Sequence, residues 1–155
     1  MNRGIIYPTI DQVKDIHTKT VHYSGGGDYG HYDLGRLESV LQNIQNDEYY
    51  PTFVDKLTHL FFCIGKFHCF VDGNKRMAIT ISAHFLLLNG YMAIAKTYFT
   101  AMENISYHVA GGLISKDLLH KIHIAILDRT YESDEELKLE IYNAISNGGV
   151  VDDQL

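Results

Sequence analysis

One segment of nine residues, from His68 to Arg76, gathers several residue types that handle phosphate chemistry. Apolar stretches with helical spacing lie on both sides, so we expect a loop that leads into the start of a helix. The first N–H groups of a helix lack partners within it, and its dipole favours negative charge, so anions bind readily there. Lys75 and Arg76 add positive charge, and a guanidinium can hold two phosphate oxygens at once.

The other polar residues of this segment, called here the signature segment, have complementary chemistry. Gly73 has no Cβ and lets the backbone approach a phosphate, while Asn74 can donate to a phosphate oxygen or fix the loop. A carboxylate at Asp72 would repel an anion unless Mg²⁺ is shared between the two. The imidazole of His68 can accept a proton near neutral pH. The sequence therefore predicts a phosphate site with a base and a magnesium ligand beside it.

Each of these residues alone has a plainer interpretation. A single His before a core Phe usually has no chemical role, Asp-Gly-Asn is a common turn, and Lys-Arg is usually a solvated helix face. However, cations are disfavoured at a helix N-terminus, and two adjacent ones lower its stability unless an anion binds there. The combination is more informative than any single member.

Capping residues and apolar spacing predict helices almost throughout the chain. The predicted starts are at Thr9, Asp33, within 72–76, at Thr100, at Ser115 and at Ser133, with a further apolar helix at 53–67. The predicted ends are near His22, near Phe67, at Asn89-Gly90, at Gly111-Gly112 and at Gly148-Gly149. The prediction is an all-α, compact single-domain bundle of six to seven helices. At most a short hairpin flap is expected, at 23–32 or at 91–95.

Composition limits the possible partners. The chain has 155 residues and a formal net charge of −6, which suits one globular domain and argues against broad nucleic-acid binding. The apolar stretch 78–95 is interrupted by His84 and by Asn89-Gly90, so a membrane span is not expected. Two cysteines and an N-terminus without a long apolar region favour a reducing, cytoplasmic location.

The signature segment resembles that of the Fic/Doc family, whose pattern is His-x-Phe-x-Asp/Glu-Gly/Ala-Asn-x-Arg. The segment Asp33-Leu34-Gly35-Arg36 also looks like the Asp-Pro-Gly-Arg helix opening of Doc proteins. The resemblance covers about residues 9–128, so we expect a Fic/Doc-like catalytic domain at 1–128. Residues 129–155 are predicted to form an appended acidic helix and tail that pack on or beside it.

The resemblance implies a role for each position of the segment. His68 would be the general base on a Ser, Thr or Tyr hydroxyl of a target protein, and Asp72 would hold Mg²⁺. The anion hole would consist of Gly73, Asn74 and Arg76, with Phe70 as an anchor that supports the loop. ATP, or another nucleoside triphosphate, would be the co-substrate.

Two positions point to different reactions within the family. Lys75 resembles the Doc toxins, which transfer the γ-phosphate, whereas Gly73 resembles the Fic adenylyltransferases, which transfer AMP. Because a Lys adds bulk and charge where Gly would admit the phosphates, γ-phosphoryl transfer is preferred. The inhibitory pattern Ser/Thr-x-x-x-Glu-Gly/Asn is not found in the sequence. Inhibition would therefore come from a separate antitoxin chain that supplies the Glu, or would be absent.

Other interpretations remain open at this point. A helical module that senses a nucleotide or binds a protein without catalysis would retain the fold, and a helical DNA-binding protein is disfavoured by the acidic balance. His120 and His123 would lie on one helix face and could bind a metal, but no third ligand has a compelling spacing, so a solvated face is preferred.

Overall fold

The computed structural model describes the backbone of residues 4–23, 33–66 and 74–153, and the side chains of 4–20, 33–66 and 74–146. These residues form seven α-helices and one short 3-10 turn, with no strand among them. The helices are α1 (Ile10–Tyr23), α2 (Leu34–Asn43), α3 (Phe53–Lys66), α4 (Asn74–Leu88), α5 (Met92–Ala110), α6 (Lys116–Leu127) and α7 (Glu135–Asp153). The all-α prediction is confirmed for the described residues.

Several helices begin where local side-chain caps predicted. Thr9 and Gln12 form a reciprocal capping box at the start of α1, with N–H to side-chain oxygen distances of 3.0 and 3.2 Å. The carboxylate of Asp33 accepts from the Arg36 N–H at 2.9 Å, and the Ser115 hydroxyl accepts from the Leu118 N–H at 3.1 Å. Each cap satisfies an N–H that has no partner inside its helix.

The predicted boundary at Thr100 is wrong, and so is the alternative of a hairpin at 91–95. Helix α5 begins at Met92 and runs without interruption to Ala110. Its buried side chains recur at helical spacing across the whole length: Ile94, Tyr98, Met102, Ile105 and Val109. One continuous apolar stripe overrides the local capping signal at Thr100. The other predicted hairpin location, 23–32, falls almost entirely outside the described residues.

The last helix also differs from its predicted bounds. Asp134, rather than Ser133, caps α7, because its carboxylate accepts from the Leu137 N–H at 2.9 Å. Ser133 belongs to the preceding 3-10 turn. The backbone remains helical through Gly148-Gly149 to Asp153, since glycine weakens a helix without removing its hydrogen-bond donors.

Helices α3, α4 and α5 form the centre of the bundle, and α4 packs against both of its neighbours. Apolar residues on several sides of α4 suit this central place, and its buried side chains include Met77, Ile81 and Phe85. Leu137 and Ile141 of α7 belong to the same hydrophobic core. No helix in the described part of the chain is long and apolar enough to cross a membrane.

Candidate functional site

The described part of the signature segment is the first turn of α4. The helix begins at Asn74, within the predicted range 72–76, and Lys75 and Arg76 follow it directly. Asn74 is half-buried, whereas Lys75 and Arg76 are exposed. The remaining predicted site residues, which are His68, Phe70, Asp72 and Gly73, lie outside the described residues. Their roles stay predictions.

The helices that flank the undescribed segment 67–73 come close together. Gly65, in the last turn of α3, is buried, and a Cβ placed on it would lie 3.6 Å from the Cβ of Ala78. Ala78 lies four residues after the start of α4. A glycine and an alanine therefore lie at the contact between α3 and α4. This contact fixes the relative positions of the two helix ends that flank residues 67–73.

Two cations, Lys75 and Arg76, lie in the first turn of α4 and a third, Lys66, ends α3; within the described residues none of them forms an ion pair. Lys75 lies with its Nζ atom 6.0 Å from the centroid of the Tyr107 ring. Lys66, the last residue of α3, approaches Gly112, where an added Cβ would be 3.1 Å from its Nζ atom. Cations at the positive end of a helix favour an anionic ligand there.

Sequence reasoning missed the contribution of α5 to this site. The side chain of Tyr107 is 62 % exposed, and its ring faces the Lys75 ammonium. The adjacent His108 is half-buried, and its Nδ1 atom has no hydrogen-bond partner among the described residues. No local signal could have placed the last turn of α5 beside α4, because the contact depends on the antiparallel packing of two helices.

The predicted solvated face at His120 and His123 is wrong for His123, which is fully buried. Its ring bridges the hydroxyls of Thr58 at 2.8 Å and Tyr98 at 2.6 Å. Burial, with a smaller contribution from His120, lowers the pKa of His123 to about 3. His120 instead pairs with Asp55 at 2.9 Å, and no group of three or more metal-binding side chains is found within the described part of the chain.

A second polar cluster surrounds His59, one turn before Cys63. Lys116 donates to His59 Nδ1 at 2.8 Å, and the Tyr50 hydroxyl lies 3.3 Å from Nε2. Burial and the Lys116 charge lower the pKa of His59 to about 4, and burial raises the pKa of the Cys63 thiol to about 11. A neutral imidazole beside a protonated thiol does not form a nucleophilic pair near neutral pH.

Comparison with known proteins gives one match. The model of the Fic/DOC family matches residues 7–86, just over half of the chain of 155 residues. This range contains the signature segment together with α1, α2, α3 and most of α4. Neither a curated protein nor a solved structure matches the chain.

Proposed function

The chain belongs to the Fic/DOC family, and on this premise we propose that it transfers a phosphate or AMP from ATP to a hydroxyl of a target protein. Members of this family are typically transferases that use ATP and act on protein targets.

The observation that carries the proposal is the pair Lys75 and Arg76 at the start of α4. Both side chains are exposed, and no carboxylate among the described residues pairs with either. Two adjacent cations at the positive end of a helix dipole lower stability unless an anion binds. A triphosphate supplies that charge and can accept from the helix N–H groups as well.

The proposed reaction places one base and one acceptor hydroxyl at this site. His68 removes the proton from a Ser, Thr or Tyr hydroxyl, and the oxygen attacks phosphorus while a phosphoanhydride bond breaks. Attack at the γ-phosphorus releases ADP, and attack at the α-phosphorus releases pyrophosphate. Gly73, Asn74 and Arg76 hold the phosphate oxygens, and Phe70 anchors the loop.

A magnesium ion fits the residue types at this site. Asp72 is the carboxylate of the signature segment and stands three and four positions before Lys75 and Arg76, where a phosphate is proposed to bind. Mg²⁺ prefers a carboxylate together with phosphate oxygens. When bound, the ion would offset the negative charge of the nucleotide.

Lys75 favours γ-phosphoryl transfer, the Doc-type reaction. Its ammonium is exposed beside Tyr107, where it adds bulk and charge next to the first N–H groups of α4. Gly73 supports the second candidate, adenylyl transfer, because a glycine allows close approach of the phosphates as in Fic adenylyltransferases. A Doc-type kinase would act as the toxin of a toxin–antitoxin pair, with the inhibitory Glu on the antitoxin.

A labelling experiment tests the proposal and separates the two reactions. A lysate is incubated with Mg²⁺ and ATP labelled at the α- or the γ-phosphate, using the wild type, His68→Ala and Lys75→Met. We expect γ-label on a target protein with the wild type and its loss with His68→Ala. Lys121→Met, a surface lysine that pairs with Glu140 at 3.1 Å, is the matched control and should leave labelling unchanged.

The two labels give distinct outcomes. Transfer of α-label in place of γ-label would identify the chain as an adenylyltransferase. If a folded wild-type protein transfers neither label to any protein, and His68→Ala behaves identically, the transferase proposal is wrong and a catalytically silent nucleotide-sensing or protein-binding module is favoured.

A further inference from the structure

A cleft of about 750 Å³ lies on another part of the molecule, between the first half of α5, the end of α6 and residues 129–132. Its apolar lining includes Ile94 and Ile126, which are buried, and the half-buried ring of Tyr131. Lys96 and Arg129 also line it. Clefts of roughly 300–1,000 Å³ with an apolar lining and a few polar groups are typical small-molecule sites. This feature is called the α5–α6 cleft below.

The α5–α6 cleft is distinct from the start of α4. Lys96 in the cleft and Tyr107 beside Lys75 are eleven positions apart on the same helix. At 1.5 Å per residue this corresponds to about 16 Å along the axis of α5. Binding of a ligand in the cleft therefore does not depend on the signature segment.

Two helices of this chain end in the same way, with a glycine in the left-handed conformation. At the end of α4, Gly90 has φ of +90°, and its N–H donates to the Leu87 carbonyl at 3.2 Å. At the end of α5, Gly112 has φ of +82°, and its N–H donates to the Val109 carbonyl at 3.1 Å. Glycine is preferred at this position because it lacks a Cβ.

The end of α6 has the same hydrogen bonds but an arginine in place of the glycine. The Arg129 N–H donates to the Ile126 carbonyl at 3.1 Å, and the Thr130 N–H donates to the Ala125 carbonyl at 2.8 Å. Arg129 has φ of 61° and is the single described non-glycine residue with positive φ. A side chain is disfavoured in this conformation, so the arginine lowers stability relative to the glycines at the other two ends. Arg129 is one of the residues that line the cleft.

The charges of the cleft favour an anion. Among the described residues, neither Lys96 nor the guanidinium of Arg129 has an ion-pair or hydrogen-bond partner. Glu132 also lines the cleft, but its carboxylate lies 3.7 Å from the Lys138 ammonium and its carbonyl accepts from the same group at 2.6 Å. The acidic charge is thus offset, and the two basic side chains remain available for a ligand.

We propose that the α5–α6 cleft binds a small amphipathic anion, with an apolar or aromatic body and one carboxylate or phosphate group. The body packs on Ile94, Ile126 and Tyr131, and the anionic group lies between Lys96 and Arg129. Thr100, whose hydroxyl has no hydrogen-bond partner in the described part of the chain, also lines the cleft and can donate to the ligand.

Three probes of similar size test the proposal by the shifts of backbone amide NMR signals. They are 4-(trifluoromethyl)benzoate, its neutral benzamide and phenyl phosphate, each titrated into the full chain. We expect saturable shifts at Lys96, Thr97, Arg129 and Thr130 with one or both anions, and binding of the benzamide that is at least about threefold weaker. The stronger of the two anions identifies the carboxylate or the phosphate class.

Variants separate loss of the site from loss of the fold. Arg129→Gly should weaken anion binding by at least about threefold, while its melting temperature stays equal to the wild type or rises, because glycine suits the left-handed conformation. Lys96→Met should weaken binding similarly, and Lys121→Met outside the cleft should not.

Three outcomes would overturn the proposal. They are benzamide binding as tight as benzoate binding, wild-type affinity in Arg129→Gly, and shifts confined to residues 74–76. The same measurement on Lys75→Met, where cleft binding should persist, keeps this inference separate from the proposed transferase activity.

Discussion

The ammonium of Lys75 lies 6.0 Å from the centroid of the Tyr107 ring, which connects the first turn of α4 to the last turn of α5. The ring holds the cation near the helix N-terminus while leaving its charge unpaired by any described carboxylate. A cation over an exposed aromatic ring gains about 0.5–1 kcal/mol. The relationship assigns Tyr107 a positioning role at the proposed nucleotide site, a role that acts through Lys75.

Replacement of the ring should weaken ATP binding modestly. Tyr107→Leu is expected to raise the KM for ATP by about two- to fivefold, which corresponds to the loss of that cation–ring contact. Tyr107→Phe retains the ring face and should remain close to the wild type. Steady-state kinetics at varied ATP concentration provides the measurement. Equal effects of Leu and Phe would show that the ring does not position Lys75.

His123 should make the stability of the protein sensitive to acid. Its folded pKa is about 3 because of burial and, secondarily, His120, whereas an unfolded histidine titrates near about 6.5. Between these values the unfolded chain binds a proton that the native chain does not. The free energy of unfolding should therefore fall as pH falls, by about 1.4 kcal/mol per pH unit from this residue.

Urea unfolding at several pH values between 4 and 7 measures this slope. His123→Gln removes the titrating group, while the Gln amide can still bond to the hydroxyls of Thr58 and Tyr98. The slope of the unfolding free energy against pH should therefore decrease by about 1.4 kcal/mol per pH unit, the contribution of one proton. His59 contributes a separate part of the slope, since its pKa is also lowered, to about 4. An unchanged slope in His123→Gln would contradict the assignment of the buried imidazole as neutral.

Local signals in the sequence predicted much of the fold. The starts of α1 and α6 depend on Thr9, Gln12 and Ser115, whose side chains bond to N–H groups three residues away. Such contacts are visible in sequence because both partners are close along the chain. The start of α5 was missed because Tyr91, the residue before it, makes no side-chain capping bond.

The features that sequence could not predict depend on distant partners. His123 is buried by contacts with Tyr98 and Thr58, which are 25 and 65 residues away in the chain. Glycine is the preferred residue in the left-handed conformation at a helix end, so residue propensities do not predict this conformation for Arg129. At the candidate site α4 begins at Asn74, within the range 72–76 where the sequence predicted a helix start. The roles of His68 and Asp72 remain predictions outside the described residues.

Lys56 should be energetically coupled to Asp47. Its side chain is fully buried, and its ammonium donates to the Ile44 carbonyl at 2.8 Å and to the Asp47 carboxylate at 2.7 Å. Asp47→Ala would remove the carboxylate that accepts a hydrogen bond from the buried Lys56 ammonium. Because the Asp47 side chain is 69 % exposed, water can replace part of the contact, and we expect a loss of about 1–3 kcal/mol.

A double-mutant cycle isolates this coupling. In Lys56→Met the carboxylate has lost its partner, so adding Asp47→Ala should cost much less than it does in the wild type. Asp47→Asn, which keeps one acceptor oxygen, should lie between the wild type and Asp47→Ala. Urea unfolding of the four proteins of the cycle gives the coupling energy, and additive losses would show that the two residues act independently.

The predicted domain boundary at residue 128 can be tested by truncation, because α7 follows this boundary and contributes to the core. Leu137 and Ile141 are buried, and burial of one such side chain contributes about 1.5–3 kcal/mol. A chain of residues 1–128 should therefore unfold cooperatively but with about 3–6 kcal/mol less stability. It should retain transfer of label from ATP, since the signature segment remains intact.

Leu139→Ala in the full chain is the control for this truncation. The Leu139 side chain is 59 % exposed, so its loss should change the unfolding free energy by less than about 0.5 kcal/mol. A truncated chain without a cooperative transition would show that α7 is part of one indivisible domain.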